Sequence, residues 1–136
     1  MQFTNTISAL LGLAVTASAA DEKLCFPAPG QRNNVPQSIT DLDAQVKIDW
    51  ATKLCSQINF SSVDAQSVTT NIADGVKATE DGRTYGLNLI TVAVLDEQSC
   101  IDNAAAVLVP DVCPSGGAFI DLDSPLEEWF TITALN

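Results

Sequence analysis

Tyr85-Gly86-Leu87-Asn88-Leu89-Ile90-Thr91-Val92-Ala93-Val94-Leu95 is the longest run in the chain that reads as a β-strand. Tyr85, Leu87, Leu89, Thr91, Ala93 and Leu95 fall on one side of a two-residue repeat, and Ile90, Val92 and Val94 on the other. Both sides are largely apolar, which predicts a central strand, and the Asp81-Gly82 turn signal precedes it. A central strand needs neighbours. Upstream, residues 67–73 alternate with β-branched side chains and stop at Asp74-Gly75. Downstream, residues 128–135 alternate aromatic and β-branched residues with Thr and form the last predicted strand.

Helical spacing takes over on either side of these strands. Ser38-Ile39-Thr40-Asp41 reads as a capping box that starts a helix at Ser38. Behind it Ile39, Leu42, Val46, Trp50 and Leu54 recur at three- and four-residue steps, flanked by Ala44, Ile48, Ala51 and Cys55. The side predicted to face solvent carries Asp41, Asp43, Lys47 and Lys53. Asp96 is placed to cap a second, alanine-rich helix from Glu97 through Cys100 to Leu108, ended by Pro110. Pro114-Ser115-Gly116-Gly117 reads as a turn. No internal repeat, low-complexity segment or long linker divides the chain.

The first twenty residues belong to a different regime. Residues 1–20 contain no Asp, Glu, Lys or Arg and carry an apolar centre over 7–15. That centre is short of the ~20 apolar residues a membrane-spanning helix needs. The segment closes on Ala17-Ser18-Ala19-Ala20, the small-residue pattern that signal peptidase reads, and charge begins abruptly at Asp21-Glu22-Lys23. The expectation is a signal peptide over 1–20, cut after Ala19 or Ala20, and one secreted domain over 21–136. The n-region offers no Lys or Arg beyond the terminal amine.

Four cysteines, Cys25, Cys55, Cys100 and Cys113, all follow the predicted cut. An even count in a small exported domain reads as two disulfides, worth roughly 2–4 kcal/mol each. Zinc is the competing use, but no C-x-x-C pair and no histidine is present. If Cys100 and Cys113 sit near opposite ends of one helix, they are roughly 20 Å apart, beyond the ~7 Å a disulfide tolerates. Two pairings remain: Cys25–Cys113 with Cys55–Cys100, or Cys25–Cys100 with Cys55–Cys113. The first, joining the end of one helix to the start of the next, is slightly preferred.

The formal net charge of −11 argues against nucleic acid and anionic membrane surfaces as partners, since both attract Lys and Arg. Without histidine the commonest general base and metal ligand are missing, so the expectation is a non-enzyme with no cofactor and no metal. Seventeen acidic residues place some pair at glycosidase spacing by chance alone, so the count carries no catalytic information. Asp121-Leu122-Asp123 with Glu127-Glu128 offers oxygen ligands but lacks the spacing of an EF-hand loop, and reads as a solvated acidic loop. Asn59-Phe60-Ser61 is an N-glycosylation sequon on a predicted loop.

Cys25-Phe26 after the leader, the helix ending Ala51-Thr52-Lys53-Leu54-Cys55, the long apolar strand, Cys100 with a short helix to Cys113-Pro114-Ser115-Gly116-Gly117, and a final Trp129-Phe130 strand form an ordered set. That set resembles the small secreted fungal glycan-binding proteins typified by an ink-cap mushroom lectin. The resemblance spans most of residues 21–136, but the chain lacks the family's cysteine near the sheet and its second one after a C-terminal turn. It implies an antiparallel sheet packed against helices, carbohydrate recognition and a homodimer formed by edge-strand pairing. The fold expected is therefore α+β, a small disulfide-stapled antiparallel sheet with two main helices.

Sugar sites stack aromatic faces on C–H surfaces and bond hydroxyls with carboxylates, amides and backbone groups. Tyr85 and Trp129 are the aromatic candidates, and Asp81, Arg83, Gly116 and Gly117 the polar and backbone ones. The competing reading makes Trp129 a core or cross-strand residue and the glycines turn formers. Trp50, on the helix stripe, is assigned to the core. The partner expected is an extracellular glycan. The alternative is an effector or toxin-like protein that binds a host surface protein through an exposed apolar patch.

Overall fold

The computed structural model describes residues 21–27, 34–94, 96–109 and 111–136; the predicted leader, Leu95 and Pro110 lie outside the described residues. In chain order the elements are β1 (Asp21–Cys25), the short helix α1 (Gln37–Thr40), α2 (Ala44–Cys55), β2 (Gln66–Thr69), a 3-10 turn (Ile72–Asp74), β3 (Val76–Lys77), β4 (Thr84–Val92), α3 (Glu97–Val107), β5 (Gly116–Asp121) and β6 (Glu127–Ala134). The strands form one antiparallel sheet in the order β1-β5-β6-β4-β2, and β3 also pairs with β4. The α+β architecture expected from the sequence is the one observed.

Strand β4 is central, between β6 and β2, and among the described residues the helices cover only one of its faces. Tyr85, Leu87, Leu89 and Thr91 are buried, together with Phe130 and Ile132 of β6. Against them pack Trp50, Ala51 and Leu54 of α2 and Ala104 and Val107 of α3. On the opposite face Asn88 and Val92 are half-buried and Ile90 is exposed. The strand stops at Val92 rather than Leu95 because Ala93 turns the chain with φ at +58°, a left-handed conformation that cannot continue a strand.

The capping box does not form. Ser38 donates both its N–H and its hydroxyl to the Glu80 carboxylate, which pulls the start of α1 onto the turn between β3 and β4. Those bonds hold the Glu80 carboxyl down to about 2. The helix then breaks at Asp41 and restarts at Ala44. The Thr40 carbonyl, which a continuous helix would hand to residue 44, instead accepts from Lys47 Nζ at 2.9 Å. Lys47 donates again to the Pro114 carbonyl at 2.8 Å and is completely buried, contrary to its predicted place on the solvent side. Burial lowers its pKa, and the Asp41 charge opposes that shift. Trp50 is in the core as expected and donates Nε1 to the Asp74 carbonyl at 3.0 Å.

Three strands carry no clear sequence signal. β1 is mostly charged, β3 has two residues, and β5 begins on Gly116-Gly117, so these glycines are strand residues and the turn is confined to Pro114-Ser115. The predicted strand over 67–73 shortens to Gln66–Thr69 and gives way to the 3-10 turn, whose Asp74 pairs with Lys53 at 2.6 Å. The second helix starts as predicted, with Asp96 Oδ1 accepting from the Ser99 N–H at 2.8 Å. It ends at Val107, and Cys113 folds back so that its N–H donates to the Val107 carbonyl.

Cys25–Cys113 and Cys55–Cys100 are the disulfides, the first of the two pairings the sequence left open. Cys55, Cys100 and Cys113 are fully buried, whereas Cys25 is exposed on the edge strand. Thiol–disulfide exchange requires a thiolate to reach a sulfur. Under native conditions a graded thiol titration is expected to open Cys25–Cys113 before Cys55–Cys100, as followed by alkylation and peptide mapping. Simultaneous or reversed opening would show that access does not set the order.

Candidate functional site

The sheet face turned away from the helices carries two bands, fixed by strand register. Leu24, Ala118, Trp129, Ile90 and Ser67 lie side by side across β1, β5, β6, β4 and β2. One step along, Gly116, Thr131, Asn88 and Thr69 line up in the same way. The first band is mostly apolar, with Leu24 and Ile90 exposed by 37% and 39%. The second band is polar apart from its glycine.

Trp129 is half-buried in the first band, with its ring stacked on Phe26 at 5.9 Å between centroids and its Nε1 donating to Glu127 at 3.1 Å. Thr131, two residues on and about 7 Å away along the strand, opens a groove of about 730 Å³. Thr69, Asn88, Thr131 and Thr133 form its floor, and the segment from Thr70 to Ala73, with Leu135, forms its sides. Asn88 donates Nδ2 to the hydroxyls of Thr69 and Ser67 and to the Val68 carbonyl. Its Oδ1, the Thr131 hydroxyl and the Asn71 amide make no hydrogen bond among the described residues. The groove therefore offers both donors and acceptors between apolar walls; Trp129 does not line it, its ring being engaged by Phe26 and Glu127 one register row away.

The sequence-derived candidates do not assemble into one place. Trp129 and Gly116 share the open face, and Gly116 is the register partner of Thr131. Gly116 has φ at +100°, and a Cβ there would lie 2.4 Å from the Phe130 carbonyl oxygen, so only glycine fits. Gly117 faces the helices, where a Cβ would meet the Leu24 carbonyl oxygen at 2.4 Å and Cys113 Sγ at 3.0 Å. Tyr85 is buried on that same helix-covered face, five residues along β4 from the register partner of Trp129, roughly 17 Å away.

Asp81 and Arg83 form the β3–β4 turn with Tyr85. Asp81 accepts from the Tyr85 hydroxyl at 2.6 Å and from the Arg83 N–H at 2.9 Å. The Tyr85 bond foremost holds the Asp81 carboxyl below its ordinary value, and the same bond raises the phenol. These three residues lock a hairpin rather than line the groove. The residues that do line it, Thr69, Asn88, Thr131 and Thr133, left one sequence signal: an amide at Asn88 inside a strand read as apolar on both sides.

A second, smaller concavity of about 390 Å³ is lined by Gln37, Thr40, Asp41, Leu42, Asp43 and Pro114. Two of these, Thr40 and Pro114, supply the carbonyls that Lys47 holds. In the acidic loop, Asp121 accepts from the Asp123 N–H and the Ser124 hydroxyl, both at 2.9 Å, and so caps its own turn. No group of three or more potential metal ligands occurs among the described residues, and none of the described helices is long and apolar enough to cross a membrane. Comparison with known proteins finds no family model, no curated relative and no solved structure that matches the chain.

Proposed function

We propose that this chain is an exported, disulfide-stapled carbohydrate-binding protein whose open sheet face takes the sugar. The observation that carries the reading is the groove over Thr69, Asn88, Thr131 and Thr133, one register row from Trp129 on the same sheet face. Unengaged hydroxyl and amide groups between apolar walls, with a tryptophan one row away, suit a ligand that presents hydroxyls on one side and C–H surface on another. The fungal lectin resemblance and the apolar leader support the same reading, and two disulfides suit an oxidising compartment.

A glycan array probed with the oxidised protein tests it. Binding is expected, and Trp129→Ala and Thr131→Val are each expected to weaken it about tenfold or more, about 1.4 kcal/mol, with the fold intact by circular dichroism. A clean array from natively folded protein would overturn the proposal. One observation favours a second reading, docking of a protein partner: Ile90, the register neighbour of Trp129, is an exposed apolar side chain, and Leu24 is another in the same row beyond the buried Ala118. In that case Ile90→Asp abolishes partner binding while Thr131→Val leaves it unchanged.

A further inference from the structure

The sequon Asn59-Phe60-Ser61 lies in the loop between α2 and β2, and its backbone is held in an unusual way. The Asn59 N–H donates to Gln66 Oε1 and the Asn59 carbonyl accepts from Gln66 Nε2, both at 2.8 Å, so one side-chain amide clamps the residue to the start of β2. Asn59 Oδ1 accepts from the Ser61 N–H at 3.0 Å, which closes an Asx turn across the sequon. Phe60 packs against the core and anchors the loop from within. Asn59 and Ser61 are both exposed, and neither Asn59 Nδ2 nor the Ser61 hydroxyl has a hydrogen-bond partner among the described residues. Two residues on, Val63 is 84% exposed, an apolar side chain that nothing in the fold covers.

We propose that Asn59 is an N-glycosylation site, modified during export with an oligosaccharide from a polyprenyl-diphosphate-linked donor. Asn59 Nδ2 attacks the anomeric carbon, a C–N bond forms as the C–O bond to the diphosphate breaks, the amide loses one proton and the polyprenyl diphosphate leaves. In the folded protein the attached glycan has room to stand. It sits where Gln66 begins β2, a strand that pairs only with β4 among the described residues. There it shades Val63 and screens the β2 edge from pairing with another chain. The groove starts at Thr69, at the other end of β2, and on the opposite face from Gln66, so it stays uncovered. The inference rests on export but not on sugar binding by the groove.

The test is expression of the full chain, with its own N-terminal segment, in a eukaryotic secretory host, followed by intact-mass measurement before and after peptide-N-glycosidase. Wild type and Ser61→Thr are expected to carry a discrete mass excess that the enzyme removes, leaving Asp at position 59. Asn59→Gln and Ser61→Ala are expected to lack it, and cell-associated protein is measured as well in case either variant is retained. A secreted wild-type chain of unmodified mass, a chain kept out of the secretory pathway, or a mass excess that persists in Asn59→Gln overturns the proposal.

Discussion

Lys47→Ala is expected to lower the free energy of unfolding by about 4 kcal/mol, a large share of the 5–15 kcal/mol a domain of this size commands. The replacement strands the buried carbonyl of Thr40, at a cost of about 1–3 kcal/mol, and takes the donor from the part-buried one of Pro114. It also removes the aliphatic stem from a site with no solvent exposure. Lys47→Met restores the stem but not the donors, so it should recover only part of the loss. Urea denaturation followed by the fluorescence of buried Trp50 measures both variants. An alanine variant within 1 kcal/mol of wild type would mean that the α1–α2 corner and the Pro114 turn hold without the ammonium group. The burial that lowers the Lys47 pKa gives a further signature. Between that depressed value and the ordinary 10.5 the unfolded chain keeps its proton longer than the folded one, so this residue's contribution to stability rises with pH there.

Glu128→Gln is expected to do the opposite, stabilising the protein by about 3 kcal/mol at pH 8 and leaving it nearly unchanged at pH 4. Glu128 points from β6 into the helix-covered face and is completely buried. Asn103 of α3 donates to its Oε1. Among the described residues its Oε2 has no partner, nor does the hydroxyl of buried Thr91, its register neighbour on β4. On the β5 side its neighbour is Phe119, with Lys23 Nζ 5.8 Å from the ring centroid. Burial raises the carboxyl to about 7 against the opposing Asn103 bond.

The sign follows from linkage. Below the ordinary value of 4.5 both folded and unfolded chains hold the proton and no cost arises. As pH rises from 4.5 to about 7 the unfolded chain releases its proton first, so stability falls, and above that the full cost of about 3 kcal/mol remains. Glu80, Asp81 and Asp96, whose pKa values are lowered, lose their stabilising bonds only at more acidic pH, outside this window. Denaturation at pH 4, 6 and 8 separates the cases. A glutamine variant with the wild-type slope would place the pH dependence elsewhere.

These two residues also mark where sequence reading ran out. Period-two alternation already puts Glu128 on the same side as Phe130 and Ile132, and helical spacing puts Lys47 on one stripe with Trp50, Ala51 and Leu54. In both places the geometry was legible and the charge argued the other way. A charge goes inside when groups remote in sequence meet it, here Pro114 for Lys47 and Asn103 for Glu128. The same remoteness hid β1 and β5, since neither a charged pentapeptide nor a glycine pair suggests a strand until the partner is in place. By contrast α3, with its local Asp96 cap, and the alternating β4 and β6 were readable because their determinants are contiguous.

The groove was legible only through Asn88, because the other lining residues are threonines that suit any strand. Trp129 lies on the sheet face away from the helices, stacked on Phe26, while Tyr85, the other aromatic candidate, has the opposite strand parity in the register and therefore faces the helices.

The strand order has a consequence for how the molecule is made. Among the described strands β1 pairs with β5 alone, near the other end of the chain, and the Cys25–Cys113 bridge spans 88 residues against 45 for Cys55–Cys100. If the chain is exported amino-terminus first, as proposed above, Cys25 reaches the oxidising compartment long before its partner. Cys55 and Cys100 can join while β5 and β6 are still being delivered, closing the shorter loop around the helices first. The N-terminal strand docks last, as a latch on a sheet already assembled, so a pulse-labelled chain should pass through a species oxidised at Cys55–Cys100 alone.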